Sequence, residues 1–220
     1  MSAKTIMLRT VFLLAIATLG GGCAPSDQFW KRPDIGERIT TVEDALKQPE
    51  AVRNLDLFNR NLPAFPQDIL TLPNLERLSL RRNTIGELPA TIARLPHLKW
   101  LDLGESKLTN APSALNELPD LSVLYLNDNQ LSELPVALGG LTKLSYLNAD
   151  RNQLTAIPTP LGRMPTLKWL RLNDNRIAAL PDDLSGLSKG LQRLYLRGNP
   201  IPEAEKERIR KALPNCQVIF

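Results

Sequence analysis

From Val52 onward the chain repeats itself, and this period constrains its fold more than any other feature. Leucine or valine opens each unit at Val52, Leu75, Leu98, Leu121, Leu144, Leu167 and Leu191, spaced by 23 residues five times and then by 24. Within a unit the pattern is L-x-x-L-x-L-x-x-N-x-L, followed by x-x-L-P-x-x-L-x-x-L. The fourth unit shows it in full, with Leu121, Leu124, Leu126, Asn129, Leu131, Leu134, Pro135, Leu138 and Leu141. The alternating x-L-x-L-x core is a strand signal, with leucines on one face and the x residues on the other. One such unit cannot bury its leucines alone, so the units must stack, each strand pairing in parallel with the next.

The asparagine sits where the chain turns inward, and its amide can bond backbone groups the turn leaves unpaired. Asn83, Asn129, Asn152, Asn175 and Asn199 fill that slot, while Arg60 and Ser106 break the series. An altered turn is expected at Ser106. Pro89, Pro112, Pro135, Pro158 and Pro181 suit an extended return segment and would break a long helix. Ala149 replaces the third strand leucine of the fifth unit, a local loss of packing.

These seven units, residues 52–199, resemble leucine-rich repeats. The resemblance implies an α/β fold: a right-handed solenoid with a parallel β-sheet on its concave face, capped by short helices. It also implies a binding scaffold, the usual role in that family. Residues 39–51 read as an N-terminal cap, where Thr40-Thr41-Val42-Glu43 has the form of a capping box and Pro49 stops the helix. Residues 200–220 read as the C-terminal cap. Its helix, 202–213, has Glu203 and Glu205 early and Arg208, Arg210 and Lys211 late, matching the helix dipole. The tail from Cys216 to Phe220 alternates like a closing edge strand. It resembles the terminal caps of small bacterial leucine-rich repeat proteins, and the cysteine-rich flanks of secreted vertebrate relatives are absent, which favours a bacterial envelope protein.

Residues 1–22 read as a signal peptide. Lys4 and Arg9 precede an uncharged run, 10–22, whose apolar part is too short for a bilayer that needs about 20 residues. Gly20-Gly21-Gly22-Cys23-Ala24 resembles the lipobox of bacterial lipoproteins, with Gly20 where that family prefers an aliphatic residue. The resemblance makes Cys23 the acylated first mature residue and Ala24 an outer-membrane sorting signal, so the protein is expected to be exported and lipid-anchored in the cell envelope. Residues 23–38 are polar, carry two prolines and read as a tether, in which Phe29 and Trp30 could face a membrane or the first repeat.

Composition removes several functions. One histidine and two cysteines leave little for a metal centre or an acid–base pair, and no metal or other cofactor is expected. Without Lys4 and Arg9, the 27 basic side chains fall to 25 against 23 acidic ones, too even a balance for nucleic acid. His97 reads as a surface turn residue and Cys216 as a small apolar one. No nucleophile elbow, phosphate loop or zinc motif occurs, so no enzymatic activity is expected.

The positive signal lies on the strands. Six of the ten aromatic residues after Cys23 fall among the 21 positions that face away from the leucines: Phe58, Trp100, Tyr125, Tyr146, Trp169 and Tyr195. Stacking aligns Trp100, Val123, Tyr146 and Trp169 in one row and Tyr125 with Tyr195 in the next. Arg77, Arg81, Arg171, Arg193 and Arg197 flank them, with Asp56, Asp102, Asp128 and Asp150 among them. Cross-strand stacking would stabilise the sheet on its own. Trp, Tyr and Arg also dominate protein interfaces, and a mixed lining suits a protein or peptide better than a polyanion. The leading expectation is therefore a membrane-anchored scaffold that binds a protein or peptide on this face. The alternatives are an envelope structural or glycan-binding protein or, without export, a cytoplasmic regulator, since the L-P-x-x-L units also resemble intracellular repeats that bind small GTPases.

Overall fold

A computed structural model describes residues 36–111 and 113–220. The expected signal peptide, Cys23, Phe29, Trp30 and Pro112 lie outside the described residues.

The described residues form one nine-stranded sheet in chain order. Its strands are β1 (Arg38–Ile39), β2 (Asn54–Asp56), β3 (Arg77–Ser79), β4 (Trp100–Asp102), β5 (Val123–Tyr125), β6 (Tyr146–Asn148), β7 (Trp169–Arg171), β8 (Arg193–Tyr195) and β9 (Gln217–Ile219). Every neighbouring pair is parallel. Each repeat strand spans the first three residues of the x-L-x-L-x stretch, and backbone bonds between units continue just beyond it, as from the Leu126 N–H to the Asn148 carbonyl. The register threads a single leucine row, Leu55, Leu78, Leu101, Leu124, Leu147, Leu170 and Leu194, and all seven are fully buried. Burying one leucine side chain contributes about 1.5–3 kcal/mol, so one row repeated seven times outweighs any single polar contact.

The return segments are single turns. Pro89, Pro135 and Pro158 hold extended backbone and then open short helical turns, Ala90–Arg94, Val136–Gly140 and α2 (Thr159–Gly162). Each turn supplies one inward leucine or isoleucine, Ile92, Leu138 and Leu161, to the same core.

The asparagine slot works as a ladder. Asn129 accepts the N–H of Ser106 (3.1 Å) and Leu108 (2.9 Å) from the preceding unit and donates to the carbonyls of Leu103 and Leu126, both at 2.9 Å. Ser106 supplies only part of this: its hydroxyl reaches the carbonyls of Leu80 (3.1 Å) and Gly104 (3.2 Å). In every unit the residue before the slot takes a left-handed conformation, from Asn59 to Gly198. Only where the asparagine is missing does the residue after the slot do so too, at Asn61 (φ 54°) and Lys107 (φ 57°). The altered turn at Ser106 thus coincides with the lost amide, whose NH2 group in the intact units bonds the carbonyls two and three residues before the slot.

Both ends are covered. Thr41, one residue after the expected Thr40, caps α1 (Val42–Lys47): its hydroxyl accepts the N–H of Asp44 at 3.1 Å and donates to that carboxylate at 2.7 Å. The pairing of β1 is a departure from the tether reading of residues 23–38, since Arg38 pairs with Asn54 and Ile39 with Leu55. Two residues suffice to cover the first strand's edge, and a two-residue strand has no alternation to read. At the other end α4 (Glu203–Ala212) packs Ile209 inward, and β9 pairs with β8.

Candidate binding face

The side chains opposite the leucines form three rows across the strands. The register aligns Arg77, Trp100, Val123, Tyr146, Trp169 and Arg193 in the first, and Asp102, Tyr125, Asn148, Arg171 and Tyr195 in the second. Because Val123 is small, the aromatic contacts run diagonally. The Trp100 and Tyr125 rings lie 5.5 Å apart and tilted by 55°, and the Tyr125 and Tyr146 rings 5.0 Å apart, tilted by 46°. These tilted geometries suit the ring quadrupoles.

Arginines cover the rings. The Arg77 guanidinium lies 4.2 Å over Trp100, Arg193 4.7 Å over Trp169 and Arg171 5.0 Å over Tyr195. The layer therefore shields itself: Tyr146 is 2% exposed, Trp169 4% and Tyr195 8%. Trp100, Tyr125, Arg77, Arg81, Arg171 and Arg193 are half-buried, and Arg197 and Phe58 are exposed. The twofold reading of the aromatic rows, as sheet packing and as a binding surface, thus divides along the chain. Tyr146, Trp169 and Tyr195 serve packing; Trp100 and Tyr125 keep accessible edges.

The acids behave differently from the arginines. Asp150 is 1% exposed and accepts Arg171 at 2.8 Å (Nε) and 2.7 Å (Nη2) and the Asn173 N–H at 2.7 Å. Asp102 is also buried and accepts the Gly104 N–H at 2.9 Å; burial pushes its carboxyl up to about 6. Burial likewise pushes the Tyr146 hydroxyl up to about 12 and raises Tyr125. Beside the third row, Arg81 and Arg82 share Glu105, at 2.5 Å and 2.6 Å, and Arg151 pairs with Asp128. Glu105, Arg82 and Arg151 lie at turn positions, which the strand pattern did not single out; opposite charges about one period apart were the signal for these pairs.

Among the described residues the candidate enzymatic groups, His97 and Cys216, lie in separate settings. His97 is exposed, with Nδ1 3.9 Å from Asp120, and burial pushes the Cys216 thiol up to about 12, far from a nucleophile's range. Among the described residues no group of three or more His, Cys, Asp or Glu side chains is placed to hold a metal, and no helix is long and apolar enough to cross a membrane.

A family model described as leucine rich repeat matches residues 50–108 and 106–154, within the stretch whose sheet register repeats every 23 residues. This is a leucine-rich repeat protein. Its repeats resemble those of a leucine-rich repeat protein from Leptospira interrogans at 38% identity over 76% of this chain, with a TM-score of 0.72. The chain spans only 43% of that protein. Two internalins of Listeria monocytogenes share the solenoid. Internalin C2 is 28% identical over 79% of this chain and 82% of its own, with a TM-score of 0.59. The second, InlF, is 22% identical over 83% of this chain and 51% of its own, with a TM-score of 0.71, and shows the fold alone. A search among curated proteins finds no match. Leucine-rich repeat solenoids are typically non-catalytic scaffolds that bind proteins, and this chain carries that scaffold.

Proposed function

We propose that this leucine-rich repeat protein is a non-catalytic scaffold that binds a protein or peptide on the concave face of its sheet, around Trp100 and Tyr125. The observation that carries this reading is the arginine-covered aromatic layer, rigid in its buried half and accessible at Trp100, Tyr125 and Arg77. Rigid Trp, Tyr and Arg side chains lose little entropy on binding, which is why they anchor protein interfaces. A sugar ring needs an open aromatic face to stack on, and Arg77 occupies that of Trp100. The envelope-glycan alternative is weaker for that reason.

Selection from an unbiased displayed peptide library tests it. Peptides that bind the wild type and lose at least about tenfold affinity on Trp100→Ser with Tyr125→Ser, the fold intact by circular dichroism, support the reading. Equal binding by both, or capture by purified cell wall alone, overturns it.

The same proposal places the protein in the bacterial envelope, anchored through Cys23. Labelling cells with radioactive palmitate, with Cys23→Ala as comparison, tests the anchor. Label on the wild type alone, in the membrane fraction, supports it. An unlabelled cytoplasmic protein favours the intracellular regulator instead.

A further inference from the structure

Four residues from β7 and β8 build a clamp whose charge is not cancelled. Arg171 stacks on Tyr195 at 5.0 Å, and Arg193 stacks on Trp169 at 4.7 Å with its Nη1 3.5 Å from the Tyr195 hydroxyl. The two guanidinium groups differ in what faces them. Asp150 takes two N–H groups of Arg171 and is itself buried, so that pair is neutral and closed. Arg193 has no carboxylate partner among the described residues. Its guanidinium carbon lies over the indole and one N–H group reaches toward the Tyr195 hydroxyl, and a guanidinium held between two rings in this way is pre-organised for a carboxylate.

Charge along the rest of the face favours the same sign of ligand. The acids Asp102 and Asp150 are buried, while Arg193 keeps part of its surface. At the clamp itself a ligand meets the Arg193 cation, and the exposed acid of this region, Asp174, lies in the turn after β7. The face is nonetheless not uniformly basic, because Glu105 and Asp128 neutralise Arg81, Arg82 and Arg151 further along it. A long polyanion would lie against those neutral pairs with no gain. A short acidic segment would not.

We infer that the Arg193 clamp receives an aspartate or glutamate side chain of the bound protein, making the ligand an acidic peptide segment. This inference rests on the binding role proposed above and names its chemistry.

The probe is a short acetylated peptide of alternating glutamate and glycine, with its glutamine counterpart and a heparin oligosaccharide as comparisons. Each is titrated by calorimetry into the full chain in nonionic detergent. Expected are binding of the glutamate peptide that weakens with salt, no binding of the glutamine peptide, and a loss of about tenfold or more on Arg193→Gln. Arg193→Lys keeps the charge but not the fork and should recover only part of the affinity. Tryptophan fluorescence and urea unfolding confirm that both variants stay folded. No binding of the glutamate peptide, unchanged binding by Arg193→Gln, or binding of the oligosaccharide alone overturns the inference. Should library peptides still bind through Trp100 and Tyr125, only the acidic ligand falls and the scaffold reading stands.

Discussion

Asp150 and Arg171 form a nearly closed ion pair across adjacent strands, with N–O distances of 2.8 Å and 2.7 Å. The carboxylate side chain is 1% exposed and the guanidinium 23%. Such a pair adds little over an apolar one of the same shape, but losing one partner strands the other charge. Asp150→Ala leaves the half-buried Arg171 unpaired and the Asn173 N–H unsatisfied. It should cost about 3–5 kcal/mol, read as a lower urea midpoint. Asp150→Asn can still accept the Asn173 N–H and should cost less.

The asparagine ladder predicts a graded series. Asn129 is buried and holds two N–H groups and two carbonyls from consecutive units. Asn129→Ala should cost about 3 kcal/mol or more, because none of these groups can turn to water. Asn199 makes the corresponding bonds to Ile177, Leu172 and Leu196 but is only half-buried. Asn199→Ala should therefore cost about 1 kcal/mol. Equal losses at the two sites would show that water cannot replace the amide at the chain's end.

The period made the sheet, its register and its aromatic rows legible, because side-chain direction in a strand alternates regardless of neighbours. It could not separate Asp102 and Asp150 from Asp56, since all three occupy outward positions. What buries the first two is the bulk beside them: the diagonal of Trp100, Tyr125 and Tyr146 around Asp102, and Arg171 across Asp150. Diagonal packing depends on which small residue, here Val123, sits between two large ones. The β1 strand was hidden for a simpler reason, since two residues carry no period.

Close backbone approach gives a sharp prediction at the return turns. A Cβ on Gly186 would lie 1.8 Å from the carbonyl carbon and 1.9 Å from the oxygen of Arg163, both backbone atoms that cannot swing away. Gly186→Ala must push two units apart and should cost about 3 kcal/mol or more. A Cβ on Gly140 meets its nearest neighbour, Asn116 Cβ, at 3.8 Å. Gly140→Ala should stay within about 0.5 kcal/mol of the wild type in the same urea titration.

Asp102 makes stability depend on pH. Burial, opposed by the Gly104 N–H and by Arg81 and reinforced by Asp56 and Glu105, raises its carboxyl from 3.8 to about 6. Below about pH 4 the group is protonated in both folded and unfolded chains and contributes nothing. Between about pH 4 and 6 the folded chain holds a proton that the unfolded chain has released, so stability falls as pH rises. Above about pH 6 the full cost of a buried charge remains, up to about 3 kcal/mol for a shift of this size. Asn at this position carries no charge and can still accept the Gly104 N–H through its amide oxygen. Asp102→Asn should therefore stabilise the protein at pH 7 by up to about 3 kcal/mol, with the gain shrinking toward zero near pH 4. Urea midpoints of both proteins at pH 4, 5, 6 and 7 check this, and a difference that stays constant across the series would mean that Asp102 titrates like an ordinary surface carboxylate.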